Sequence, residues 1–251
     1  TITAKAATTN VIVEGGTWDY NYPANNGSAL NAFAMSFYGC ADVSVRDVSF
    51  ETSAKYSLCF CAFMNAEAKR IVSNTQSDCI KVYGPGNVFS LDGISGSSGD
   101  DILSVQAQEG TPYAAYQIQT GDLYQIVAKN INGKQSGTTS NVNIYLSDNC
   151  ILYGLDVAGV GGAGMANLAI AIQKSVGETT GFAEEIKLSN ISTSGTNAVY
   201  WASGYVANIT IDGVQANPHL TTSNPVINFT GGASAGVINI QNSNFKKAAW
   251  S

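Results

Sequence analysis

The sequence predicts an all-β solenoid, a single-stranded right-handed parallel β-helix of about eight to ten coils. Three observations predict it: one four-residue bend recurs along the chain, short alternating strands lie between its copies, and helical periodicity is almost absent. The bend has the form hydrophobe, two polar or glycine residues, hydrophobe. Its copies are Val45-Arg-Asp-Val48, Leu91-Asp-Gly-Ile94, Ala128-Lys-Asn-Ile131, Leu188-Ser-Asn-Ile191 and Ile211-Asp-Gly-Val214, with Leu152-Tyr-Gly-Leu155 a looser match. Asp, Asn or Gly stands third each time because a tight bend wants left-handed backbone, which those residues tolerate.

With Ile71 and Ile240 as degenerate copies, the anchors 45, 71, 91, 128, 152, 188, 211 and 240 lie 20 to 37 residues apart, one coil with loops of variable length. Between them lie Cys79 to Tyr83, Asp101 to Val105, Asn141 to Leu146, Leu168 to Ile172, Ala198 to Trp201 and Pro225 to Phe229. Two alternating strand families imply two or three parallel sheets. An antiparallel sandwich would place hairpin turns every 8 to 12 residues or so with no longer period, and the long period disfavours a ligand-filled barrel too. The one helical suggestion is a turn over Asn65 to Arg70.

No charge block or proline-rich linker divides the 251 residues, so 1–251 reads as one domain. The start at Thr1, without Met, points to a processed protein or a piece of a longer chain. Twelve Lys plus Arg against eighteen Asp plus Glu exclude a nucleic-acid surface, which needs concentrated positive charge. No apolar run is long enough for a membrane helix. The five cysteines are an odd count without zinc-ribbon spacing, and they read as small core hydrophobes rather than metal ligands. Sequons at Asn26, Asn190, Asn208 and Asn228 carry little weight in strands rich in Asn, Ser and Thr. No cofactor is implied.

Asp78-Cys-Ile80-Lys-Val82 and Asp101-Ile-Leu103-Ser-Val105 share one pattern 23 residues apart. One coil apart, they stack, and with Asp100 beside Asp101 three neighbouring acids repel, so one stays protonated near neutrality while another is ionised. That pairing supplies a general acid and a general base.

The segment from Ala34 to Gln106 resembles the pectin-lyase-like superfamily, and within it the polygalacturonase family of glycoside hydrolases. The resemblance is carried by Asn10-Val-Ile-Val-Glu-Gly-Gly16, Phe37-Tyr-Gly-Cys40, Asn74-Thr-Gln-Ser-Asp78-Cys-Ile80 and Gly99-Asp100-Asp101-Ile-Leu103. It implies that Asp100 protonates the leaving glycosidic oxygen while Asp78 and Asp101 activate water, with inversion if acid and base stand about 6.5–9.5 Å apart. The family's Gly-His-Gly and Arg-Ile-Lys segments have no counterpart. Their places read Asn143-Ile-Tyr145 and Ala171-Ile-Gln173-Lys174, and the sole histidine, His219, falls in a loop-like Asn217-Pro-His-Leu. The substrate implied is therefore not pectin. In style the chain also resembles phage tailspike depolymerases, which implies a homotrimer outside the cell or on a virion surface, cleaving a surface or cell-wall polysaccharide.

Positions opposite in parity to the core residues form the outward row: Lys81, Tyr83, Ser104, Asn143, Tyr145 and Gln173. With Lys174 and Trp201 they are the candidate sugar-binding residues, although of Tyr200 and Trp201 one must face the core. Glu109 and Asp122, flanking an insertion from Gln106 to Tyr116, are reserve acids; Glu51, Glu184 and Glu185 read as exposed turn residues. Two other uses of the solenoid stay open. A polysaccharide lyase would bind calcium through Asp78, Asp100 and Asp101, with Lys81 or Lys174 as base. A non-catalytic adhesin would use the acids only to cap turns.

Overall fold

The computed structural model describes residues 8–19, 33–53, 56–107, 121–135, 140–161, 168–174, 179–193, 196–216 and 226–244. Among them every regular element is a strand. These are β1 (Thr8–Glu14), β2 (Thr17–Asp19), β3 (Phe33–Tyr38), β4 (Cys40–Arg46), β5 (Ser49–Ser53), β6 (Tyr56–Thr75), β7 (Ile80–Ser98), β8 (Leu103–Gln106), β9 (Leu123–Gln135), β10 (Ser140–Leu146), β11 (Ile151–Gly161), β12 (Leu168–Lys174), β13 (Phe182–Thr193), β14 (Asn197–Ala216) and β15 (Ile227–Gln241). The turn suggested over Asn65 to Arg70 is strand, inside β6. Glu51, Glu184 and Glu185 are exposed as expected, but on strands rather than turns.

The bends are where the residue pattern put them. Asp47, Gly93, Asn130, Gly154, Asn190 and Gly213, the third residues of the six copies, all have positive φ, from 52° to 85°. Two anchors shift. Val45, Leu91 and Ala128 align with Ala68 and Val157, so the degenerate copies are Ala68-Lys-Arg-Ile71 and Val157-Ala-Gly-Val160, bending at Arg70 and Gly159. A second column of left-handed residues, including Asp42, Asn65, Val88 and Gln125, turns the chain a few residues earlier. Val88 is the misfit there, a β-branched side chain at φ 57°. Replacing it by Asn, the residue at the equivalent position 65, is expected to raise stability by roughly 0.5–1 kcal/mol by relieving that strain; an unchanged or lower urea midpoint for Val88→Asn would contradict this.

All strand pairings are parallel, and they join all fifteen strands in one sheet rather than two or three. Pairing of β7 with β9 closes eight of them, in the order β7-β8-β10-β12-β14-β13-β11-β9, into a circuit. The expectation of a right-handed parallel β-helix is therefore corrected: the main sheet closes into an eight-stranded parallel barrel, and a long repeat period did not exclude a barrel. Closure depends on β7 and β14. Each turns a corner, at 84–85 and 202–204, where its ladder to β6 or β15 shifts register, so residues 80–83 pair with β8 while 86–98 pair with β9, and residues 197–201 pair with β12 while 205–216 pair with β13. The barrel thus has two faces of three strands each, with β7 and β14 contributing to both.

Between the faces lies one apolar core. Ile80, Leu103, Val142, Ile170 and Val199 occupy one register position on successive strands, and Leu91, Ala128, Val157, Leu188 and Ile211 occupy one on the opposite face. All ten are buried. Filling one column with Ile, Leu and Val contributes on the order of 1.5–3 kcal/mol per large side chain. The cysteines Cys40, Cys59, Cys61, Cys79 and Cys150 are all free and buried; burial pushes the Cys79 thiol up to about 12, where it is inert.

Candidate active site

The face carrying β8, β10 and β12 holds the candidate site, because parity turns alternate residues of each strand away from the core. Pairing of Ile80 with Leu103 places Asp78 beside Asp101, and the Cys79 N–H donates to the Asp101 carbonyl at 2.9 Å. The stacking of the two copies that lie 23 residues apart is thus observed. Gly99, ahead of the two acids, is required by close approach: a Cβ there would lie 2.0 Å from the Gln76 carbonyl oxygen.

One carboxylate oxygen from each of Asp78, Asp100 and Asp101 lies within 4.8 Å of the others. Their surroundings differ. Asp78 is 2% exposed and ion-paired with Lys81, Nζ to Oδ2, at 2.5 Å, while its Oδ1 accepts the Asp101 backbone N–H at 3.2 Å. Asp101 is 1% exposed; its Oδ1 accepts the N–H and hydroxyl of Ser140 at 3.1 and 3.0 Å, and its Oδ2 accepts from Asn143 Nδ2 at 3.0 Å. Asp100 is only half-buried, the one acid of the three with solvent access.

Burial, and after it the charges of Asp78 and Asp100, push Asp101 up to about 8, against the opposing hydrogen bonds from Ser140 and Asn143. Near neutrality the cluster therefore keeps a proton. In the unfolded chain the same carboxyl titrates near roughly 4, so between the two values the folded protein binds a proton that the unfolded chain has released. This contribution to stability is complete below roughly pH 4 and is lost as pH rises through about 8. Wild-type unfolding free energy is thus expected to fall more steeply than that of Asp101→Asn as pH rises across this window; parallel curves from chemical denaturation would refute the assignment.

Around the acids the outward row is assembled as expected in register but not in exposure. Lys81, Ser104 and Asn143 align side by side, as do Tyr83, Gln106, Tyr145 and Gln173. Lys81, Tyr83, Ser104, Gln106 and Asn143 are buried, so the inner part of the row is covered, and Tyr145 and Gln173 are half-buried at its margin. Gln173 donates to Asn143 Oδ1 at 3.1 Å and Asn143 donates to the Tyr145 hydroxyl at 3.1 Å, extending the network outward from Asp101. Lys81 sits over the rings of Tyr56 and Tyr83, 4.8 and 5.5 Å from their centroids.

Two expected sugar contacts move away. Trp201 is a core residue, 1% exposed, edge-on to Phe229, with its indole N–H on the Ser203 carbonyl; alternation gives the outward place to Tyr200, which is half-buried. Lys174 is exposed and its ammonium donates to the Thr179 carbonyl at 3.4 Å. Asp122 is structural, accepting from Ile151 N–H and Tyr124 hydroxyl. Glu109 and His219 lie outside the described residues.

Ser140 is absent from the sequence expectation, yet it has a signal. The register Ile80, Leu103, Val142 makes Asp78, Asp101 and Ser140 equivalent positions, and the same pattern two residues ahead of a core position finds Ser140, although the spacing from Asp101 is 39 residues and not 23. Gln106, which donates to Ser104 Oγ at 2.7 Å, follows from the same alignment.

Chemically, the three acids combine one retained proton with ionised carboxylate. Their oxygens could also surround a cation, but the Lys81 ammonium already holds that relation to Asp78. The three oxygens, one from each acid and all within 4.8 Å of one another, approach more closely than the gap of about 6.5–9.5 Å named for inversion. No family model matches the chain, and no curated protein gives a significant match.

Proposed function

We propose that the protein is a glycoside hydrolase that cleaves a surface or cell-wall polysaccharide with Asp78, Asp100 and Asp101. The observation that carries this reading is a cluster of three carboxylates, with oxygens within 4.8 Å of one another, in unequal surroundings: Asp101 is buried and pushed up to about 8, Asp78 is paired with Lys81, and Asp100 has solvent access. Environments that push neighbouring acids apart are how one site runs acid and base chemistry together. Asp100, the acid with solvent access, meets the sugar and passes to the glycosidic oxygen the proton it shares with Asp101; the remaining negative charge stabilises the cationic sugar in the transition state. Water then supplies hydroxyl to the anomeric carbon and returns a proton to the cluster, so one glycosidic bond and one water become two hydroxyl groups. The resemblance of these segments to polygalacturonase motifs supports the same reading, and an extracellular or virion-surface setting belongs to it.

Lyase chemistry fits less well, because of its two candidate bases Lys81 is tied to Asp78 at 2.5 Å and Lys174 lies at the far end of β12, directed to the Thr179 carbonyl. The test is incubation with a panel of polysaccharides. New reducing ends without the ultraviolet absorbance of an unsaturated sugar are expected; that absorbance, lost with chelator, would establish a lyase, and intact polymer across the panel would leave a binding protein.

A further inference from the structure

We infer that the glycan this site accepts is uncharged, an inference that rests on the hydrolase reading above and names its substrate class. The face is built from β3, β8, β10, β12 and the leading parts of β6, β7, β14 and β15. Among its described residues the cations are Lys81 and Lys174. Lys81 is not left over for a sugar's carboxylate or sulfate, and Lys174 stands six residues along β12 from Leu168, the level of the acids, roughly 20 Å away. Lys81 is 4% exposed, bound to Asp78 at 2.5 Å and flanked by two tyrosine rings, and Lys174 is directed to the Thr179 carbonyl.

An anionic sugar entering here would instead meet the Asp100 carboxyl at the open side of the acid cluster, with the carboxyls of Asp78 and Asp101 behind it. Short of Lys174 at the end of β12, the margin that a sugar can reach is polar but neutral: Tyr145, Gln173, Tyr200 and Asn228 are all half-buried, and Tyr200 pairs in register with Asn228. Hydroxyls and amides of this kind exchange hydrogen bonds with sugar hydroxyls, and tyrosine rings cover the apolar faces of pyranoses. At longer range a net charge of −6 slows the approach of a polyanion and leaves a neutral polymer unaffected.

The experiment compares neutral polymers (a glucan, a galactan, a mannan and a xylan) with anionic ones (polygalacturonate, alginate and a sulfated galactan) at low ionic strength. Binding is read by affinity electrophoresis and cleavage by reducing ends, for wild type and for Asp100→Asn. Retardation and cleavage with at least one neutral polymer, and at least about tenfold less with every anionic one, is the expected result. Cleavage of an anionic polymer that Asp100→Asn abolishes would overturn the inference while sparing the hydrolase reading. Neutral binding without turnover would do the reverse. Retardation by none of the neutral polymers overturns the inference outright.

Discussion

The Asp100→Asn, Asp101→Asn double variant is expected to release reducing ends at least about 100-fold more slowly than wild type, the low end of what a positioned general acid contributes. The loss follows from where the proton is kept. Wild type retains it on Asp101 up to about pH 8 because the carboxyl is buried beside two other acids, and an amide at that position has none to give. The same origin fixes the pH profile: wild-type rate falls as pH rises through about 8, whatever the substrate.

Folding must be separated from chemistry in that variant, because Asp101 accepts three hydrogen bonds and Asn has a single acceptor oxygen. If the oxygen of the introduced amide keeps Ser140, its amino group faces the Asn143 amide donor-to-donor; turning Asn143 over then sets its amino group against the Gln173 donor. A cost of about 1–3 kcal/mol from the displaced partner is expected, part of it offset by removing like charges. Asp100→Asn alone leaves those three bonds in place and is the cleaner variant. Full activity in either protein, with an unfolding transition like that of wild type, would remove the acids from the chemistry.

The local chemistry of this fold was legible and its closure was not. Left-handed bends announce themselves because Asp47, Asn130, Asn190 and Gly213 are residues that tolerate positive φ, and core columns announce themselves because alternation is strict. Arg70 escapes the pattern because an arginine in a left-handed bend carries no such signal. Closure is a property of ladders, not of residues. Nothing in Ile80 to Ser98 says that one strand pairs with β8 before its corner and with β9 after it, so one strand reads as two and one sheet as several.

Within the site, spacing placed Asp78 against Asp101 because both precede the same core position by two residues. Exposure was the quantity missing. Parity tells that Lys81, Ser104 and Asn143 turn outward but not whether they are covered, and Trp201 could not be told from Tyr200 until the register with Phe229 fixed which ring faced the core.

Lys81→Met is expected to cost about 3–5 kcal/mol, the largest stability effect among the site residues, because it strands a buried carboxylate. Methionine preserves the length of the apolar stem, so lost packing contributes little. What disappears is the ammonium 2.5 Å from an Asp78 whose side chain is 2% exposed. In a chain of this size that is a fall in Tm of roughly 6–20 °C. Two further measurements identify the cause. Adding Asp78→Asn to Lys81→Met removes the stranded charge while keeping an acceptor for the Asp101 N–H, so most of the loss should return. Lowering the pH should also narrow the gap to wild type, since an unpaired buried carboxylate takes up a proton and ceases to be a charge. A loss for Lys81→Met below about 1 kcal/mol, the range of a solvated surface pair, would mean that water reaches Asp78; the low dielectric that holds the proton on Asp101, and with it the acid of the proposed reaction, would then be gone.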